Sequence, residues 1–211
     1  MSLILQKYRL HLSDKNFLIS LGVAVLLFAG SLVGNFYAGT YATRQASNSV
    51  TDLILSNIPV FDIDHIFVYS SMIFLAFMFV LCVIEPKRIP FVLKSIALFI
   101  FTRSIFITLT HIAPFPSQIV VESALLSKFS FSADLFFSGH TGLPFLMALA
   151  FWNHKIIRYI FIAGSLVGAT IVLAAHIHYS IDVFSAFFIT YTIFHLSEVF
   201  FKKDYALFLE K

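Results

Sequence analysis

Six apolar segments, roughly 17–39, 66–84, 91–112, 140–152, 156–175 and 179–201, dominate this sequence. A helix needs about 20 mainly apolar residues to cross about 30 Å of hydrocarbon, and all but the fourth reach or approach that length. The fourth carries Pro144 in its first turns, where proline is tolerated, and a start within Leu135-Phe136-Phe137 would lengthen it. No soluble core could hide this much apolar surface: of 211 residues 59% are hydrophobic, only 12% are charged and 27 are Phe. Soluble domains carry about twice that charge. The expected fold is all-α, a polytopic membrane protein built as a six-transmembrane-helix bundle. It reads as one membrane domain: a cytoplasmic N-terminal segment (1–16), a six-helix core (17–201) and a cytoplasmic tail (202–211). The first apolar run exceeds the roughly 7–15 residues of a signal-peptide core and reads as a retained span.

Lysines and arginines orient the spans. With the N-terminus inside, the inner side holds Lys7, Arg9, Lys15, Lys87, Arg88, Lys94, Lys155, Arg158, Lys202, Lys203 and Lys211. The outer side holds Arg44, Arg103 and Lys128, so the ratio is 11 to 3. Cytoplasmic loops carry the Lys/Arg excess. Both termini are therefore expected in the cytoplasm, and the longer loops, about 40–65 and 113–139, on the extracellular, periplasmic or luminal side. The net charge is only +3, and no basic run of the nucleic-acid-binding kind occurs. The expected surroundings are the bilayer, with no nucleic acid. Cys82 is the single cysteine, so an intrachain disulfide is excluded. The hexapeptide Ala-Gly-Ser-Leu-Val-Gly occurs at 29–34 and again at 163–168. Its Gly-x-x-x-Gly spacing predicts close helix packing through small residues.

Charged groups inside spans cost about 2.5–3.5 kcal/mol each on insertion scales and need a reason. Arg103 lies in the outer half of the third span. It either snorkels to the interface or turns a planar guanidinium toward a phosphate; the second reading is favoured, with Thr110 seven residues on as a possible hydroxyl donor. Asp182 follows His178 by four residues, one helical turn on the same face. A carboxylate there orients the ring, fixes its tautomer and raises the basicity of the far nitrogen. Ser138-Gly139-His140-Thr141 opens the fourth span. A serine cap, a glycine that admits close approach and a helix N-terminus suit an anion; an ordinary N-cap with a surface histidine is the plain alternative. Asp134 and Glu122, on the same outer loop, could orient a histidine, bind a cationic head group or be solvated loop charges. His65, His111, His176 and His195 are expected to face elsewhere or to sit at interfaces and helix ends. No pair or cluster with metal-ligand spacing appears.

Ser138-Gly139-His140-Thr141, preceded by Asp134 and followed by His178-Tyr179-Ser180-Ile181-Asp182-Val183, resembles the two catalytic motifs of the sphingomyelin synthase family. That family is a branch of the type 2 phosphatidic acid phosphatase superfamily. The string from Arg103 to Pro114 looks like the family's preceding motif, and Asn57-Ile58-Pro59-Val60-Phe61-Asp62 is a loose match to its first. The similarity covers roughly Asp52 to His195. It implies six spans, cytoplasmic termini, an outer-side site, a triad of His140, His178 and Asp182, and Asp134 as a supporting acid. The superfamily's Lys/Arg-containing first motif is absent, Val172 stands where an arginine precedes the last histidine, and Ser132-Ala133 replaces the branch's Cys-Gly. The first two departures point away from an ordinary lipid phosphate phosphatase.

The expected activity is transfer of a phospho-head group from a glycerophospholipid donor to a lipid alcohol such as ceramide, with no metal or organic cofactor. Two other readings stay open. One is a phosphatase or phospholipase C-like hydrolase using the same residues with water as acceptor. The other is a non-catalytic lipid transporter or assembly subunit.

Overall fold

The computed structural model of the chain describes residues 3–119 and 135–210. All regular structure among them is helical: α1 (Leu3–Leu12), α2 (Lys15–Arg44), α3 (Asp64–Ile84), α4 (Ile89–Leu109), α5 (Gly139–Ala150), α6 (Lys155–Ala174), α7 (Ser180–Phe200) and α8 (Lys202–Leu209). A 3-10 turn, Pro86–Arg88, leads into α4. Five of these helices, α2, α3, α4, α6 and α7, are long and apolar enough to cross a membrane.

The fourth expected span is the exception. At 1.5 Å per residue, the 12 residues of α5 reach only about 18 Å. The chain from Leu135 to Ser138 does not extend it, because each residue is held elsewhere. The Phe136 ring stacks on Phe106 (centroids 4.9 Å apart), and Phe137 meets Phe99 edge-on at 5.1 Å. The Ser138 N–H is already spent on the Asp182 carbonyl, at 3.0 Å. The helix therefore starts late, inside the bundle, and is enclosed by its neighbours: Thr141, Gly142, Pro144 and Leu146 through Ala150 are buried.

Small residues make that enclosure possible. The repeated hexapeptide packs helices in both copies, against different partners. On α2, Gly30 and Gly34 face the Phe101 ring of α4, 3.6 Å from where their Cβ atoms would stand. Buried Phe17, Ala24, Ser31 and Ala38 recur every seventh residue along the same helix, and α2 lies along α4. On α6, Gly164 faces Pro144 and Gly168 faces the His140 carbonyl, where a Cβ would overlap the oxygen. Pro144 has no N–H, so it leaves that carbonyl without its helical donor. Ser165 of α6 donates to the next carbonyl, Thr141 O, at 2.7 Å.

One end of the bundle gathers the basic residues. There α1 and α8 form short helices packed on it. Asp204 of α8 pairs with Lys94 of α4 at 2.6 Å, and Lys94 also donates to Ser20 of α2 at 2.8 Å. Lys7 of α1 pairs with Glu85, and Lys87 donates to the Glu210 carbonyl at 2.6 Å. The core between the ends is aromatic, built on Phe91, Phe99, Phe137, Phe151 and Phe161.

Candidate active site

The opposite end holds both histidine motifs. α6 stops where His176 adopts a left-handed backbone (φ 55°). The turn closes with His176 N–H to Leu173 O and Ile177 N–H to Val172 O, the two bonds of a Schellman ending. Glycine usually takes that left-handed position; here a buried histidine does, its Nδ1 2.6 Å from Ser117 Oγ. The reversal brings His178 back toward the bundle just before α7 begins.

Asp182 then does two things with one oxygen. Oδ2 accepts the Tyr179 N–H at 3.1 Å, reaching back to the cap residue of α7 as in a capping box. The same Oδ2 lies 3.1 Å from His178 Nδ1. A carboxylate only accepts, so Nδ1 carries the proton and Nε2 keeps its lone pair. Both groups are buried, with side-chain exposures of 5% and 2%.

His140 is the second residue of α5 and partly buried. Its ring packs on Phe67 of α3 with centroids 4.2 Å apart. His178 and Arg103 both lie within electrostatic reach of it. Arg103, buried in α4, donates from Nε to the Phe137 carbonyl at 3.2 Å. Arg103 lies six residues before the end of α4, and Gly168, which touches His140, six before the end of α6. Both are about 9 Å below those helix ends at 1.5 Å per residue. The half-length α5 is what lowers its N-terminus to this level.

That N-terminus is open in two respects. Ser138 occupies the cap position, yet its hydroxyl makes no cap bond and is buried without a partner among the described residues, as is that of Thr141. A Cβ on Gly139 would meet nothing within 4 Å. Helix N-termini with free N–H groups bind anions, and here an unused hydroxyl and open space adjoin them.

Of the residues expected at the site, His140, His178, Asp182, Arg103, Ser138 and Gly139 come together. Thr110 does not join them: α4 ends at Leu109, so Thr110 is extended and exposed beyond the helix. Asp134 and Glu122 lie outside the described residues. Among those described, no three His, Cys, Asp or Glu side chains gather as a metal-binding group.

Asp52 is the residue that sequence reasoning passed over. It is 6% exposed in the loop between α2 and α3. Oδ1 accepts the N–H groups of Ile54 (2.9 Å) and Leu55 (3.0 Å), and Oδ2 accepts that of Ser180, the first residue of α7, at 2.7 Å. Burial opposes the charge, but the N–H groups of Leu55, Ser180 and Ile54 and the Ser180 hydroxyl outweigh it and hold the carboxyl below the usual aspartate range. Tyr179 completes the knot: its hydroxyl accepts from Val50 N–H (3.2 Å) and donates to Ala113 O (2.9 Å). The only sequence signal was a local one, an aspartate opening a turn at Thr51-Asp52.

Residues 132–199 match the family model described as PAP2 superfamily C-terminal. The match contains both histidine motifs and supports the type 2 phosphatidic acid phosphatase superfamily, whose members are phosphatases and phosphotransferases acting on lipids. No curated protein and no solved structure matches the chain.

Proposed function

We propose that this chain runs the lipid phosphoryl chemistry of the type 2 phosphatidic acid phosphatase superfamily as a head-group transferase of the sphingomyelin synthase type. The observation that carries the reading is the meeting of His140, the His178–Asp182 pair and Arg103 at one depth, beside an uncapped helix N-terminus.

The phospholipid's phosphodiester sits at the α5 N-terminus beside Arg103. His178 Nε2 attacks phosphorus in line with the leaving diacylglycerol oxygen. An N–P bond forms, the P–O bond breaks, and the leaving oxygen takes a proton from His140. This step requires His140 to enter protonated. His140 then accepts the proton of the incoming lipid alcohol as its oxygen displaces His178 from phosphorus. Asp182 keeps Nδ1 protonated and supports the charge that His178 acquires. Arg103, the Ser138 hydroxyl and the N–H groups of α5 stabilise charge on the remaining phosphoryl oxygens.

One feature supports a lipid acceptor over water, and another supports a diester donor over a phosphate monoester. The wall beside His140 is apolar: Phe67, Ala169, Ile171, Val172 and Val183 form one cluster. A single buried guanidinium at this end, among the described residues, matches a singly charged diester better than a monoester dianion. On this reading the site faces the extracellular, periplasmic or luminal side, as the charge bias along the chain indicates.

Product identity tests the proposal. Protein reconstituted with a head-group-labelled glycerophospholipid and ceramide is expected to yield diacylglycerol and a labelled sphingolipid. Label released only as free phospho-head group or inorganic phosphate would establish the hydrolase, and no turnover of any donor would leave a non-catalytic membrane protein.

A further inference from the structure

We infer that Asp52 is a positioning residue for the histidine pair of α7, acting from outside the two histidine motifs through the backbone of Ser180. The inference deepens the proposed function and rests on it for its catalytic part.

The argument begins with what the N-terminus of α7 needs. A helix start leaves its first N–H groups unpaired. Asp182 satisfies that of Tyr179, and Asp52 satisfies that of Ser180. The two carboxylates hold consecutive peptide units. These units lie between His178 and Asp182, so they set where the ring stands relative to the carboxylate that orients it. Asp182 alone cannot fix this geometry, because it moves with the helix it caps. Asp52 can, because its Oδ1 also ties it to a separate turn of the chain. In that turn Ser56 N–H bonds the Asp52 carbonyl at 3.0 Å, and Leu55 is buried with Leu135 and Tyr179. Leu135 begins the segment that leads to Ser138 and His140. One buried turn thus references both histidine motifs to the same point.

The charge matters as well as the bond. Asp52 is negative at a helix N-terminus, where the macrodipole favours anions. Asparagine would present an N–H₂ group to one of the two faces that now accept N–H groups, so D52N is not a conservative change here.

Ser180→Pro isolates the bond from the residue. Proline is favoured at the first helical position, and Tyr179, at φ −65° and ψ 155°, already has the backbone that a residue before proline prefers. S180P therefore deletes both the N–H and the hydroxyl that Asp52 accepts while leaving α7 intact.

The experiment compares wild type, D52A, D52N and S180P, each purified and checked for folding by thermal unfolding in detergent. The first readout is head-group release from the labelled phospholipid. A positioning role is expected to lower kcat about 10–100-fold with KM within about twofold, the scale of a misplaced reacting group. The second readout needs no substrate: the side-chain ¹⁵N spectrum of selectively labelled His178. In wild type it should show one tautomer, protonated at Nδ1; in D52A and S180P it should show mixed tautomers. A wild-type His178 spectrum in folded D52A and S180P overturns the inference, whatever the activity. Absence of head-group chemistry in the wild-type protein would defeat the functional reading instead, and the spectrum would still decide the place of Asp52.

Discussion

At the basic end of the bundle, Lys94 is closed in by Asp204 and Ser20, drawn from three helices, and at 9% and 11% exposure the pair is nearly shut from solvent. At the histidine end the Ser138 and Thr141 hydroxyls are buried with no partner among the described residues, and a histidine occupies a left-handed position that glycine normally takes. The Lys94 cluster spends its polar groups on each other, although Ser95 Oγ, Arg88 Nε and Arg158 Nε at the same end are buried with no partner among the described residues. Groups left unspent are costly unless a ligand or water uses them. The difference lies in where the unpaired groups stand: at the histidine end they are hydroxyls at the start of a helix. The Lys94 cluster ties three helices together, and on the proposed function the histidine end holds the reacting groups.

Crossed substitutions break the comparison most sharply. H178A is expected to lower turnover by about 10⁴-fold or more, as loss of a nucleophile does, with a smaller loss of stability of about 1–3 kcal/mol, because the buried Asp182 keeps the Tyr179 N–H. K94A is expected to do the reverse. It strands Asp204 in a buried setting, a loss of about 3–5 kcal/mol of stability, while the protein that remains folded turns over at the wild-type rate. Stability and rate measured on both variants decide it; a K94A protein that is stable but slow would show that the two ends are coupled.

The two ends also differed in how much the sequence disclosed. Hydropathy located five spans to within a few residues, because lipid imposes its length on each. It placed the fourth segment within two residues of α5, but the earlier start it allowed within Leu135-Phe136-Phe137 is not taken, because those apolar rings pack elsewhere. α1 and α8 went unread as helices, being too short and mixed to stand out from a polar tail. His178 and Asp182 were legible because their relation is local, one helical turn. Arg103 was legible because a charge in a span is conspicuous. Thr110 was drawn in by helical spacing that α4 does not continue. Asp52 was illegible for the opposite reason: its partner Ser180 is 128 residues away, and no local pattern announces it.

A second pair of variants sharpens the account of depth. The Gly168 Cβ position overlaps the His140 carbonyl, whereas that of Gly164, one turn earlier, is 3.9 Å from Pro144, an ordinary contact. G168A must push α5 from α6 at His140 itself. Its expected effect is a loss of about 100-fold in turnover, the scale of a displacement near 1 Å. G164A is expected to stay within about twofold, because a contact at that distance needs no movement. Equal effects from both would mean that the small-residue face serves packing in general and not the placing of His140.

The smallest expected effect concerns His176. A left-handed backbone costs a non-glycine residue about 1–2 kcal/mol. Against that, the bond from its ring to Ser117 contributes about 1 kcal/mol and ties the 110–119 segment to the turn before His178. H176G removes both terms and is expected to leave stability within about 1 kcal/mol of wild type. H176A keeps the strain and loses the bond, so it should be the less stable of the two by about 1 kcal/mol. Thermal unfolding of the pair measures this directly. The reverse order, alanine above glycine, would mean that the left-handed turn is not where the histidine end stores its strain.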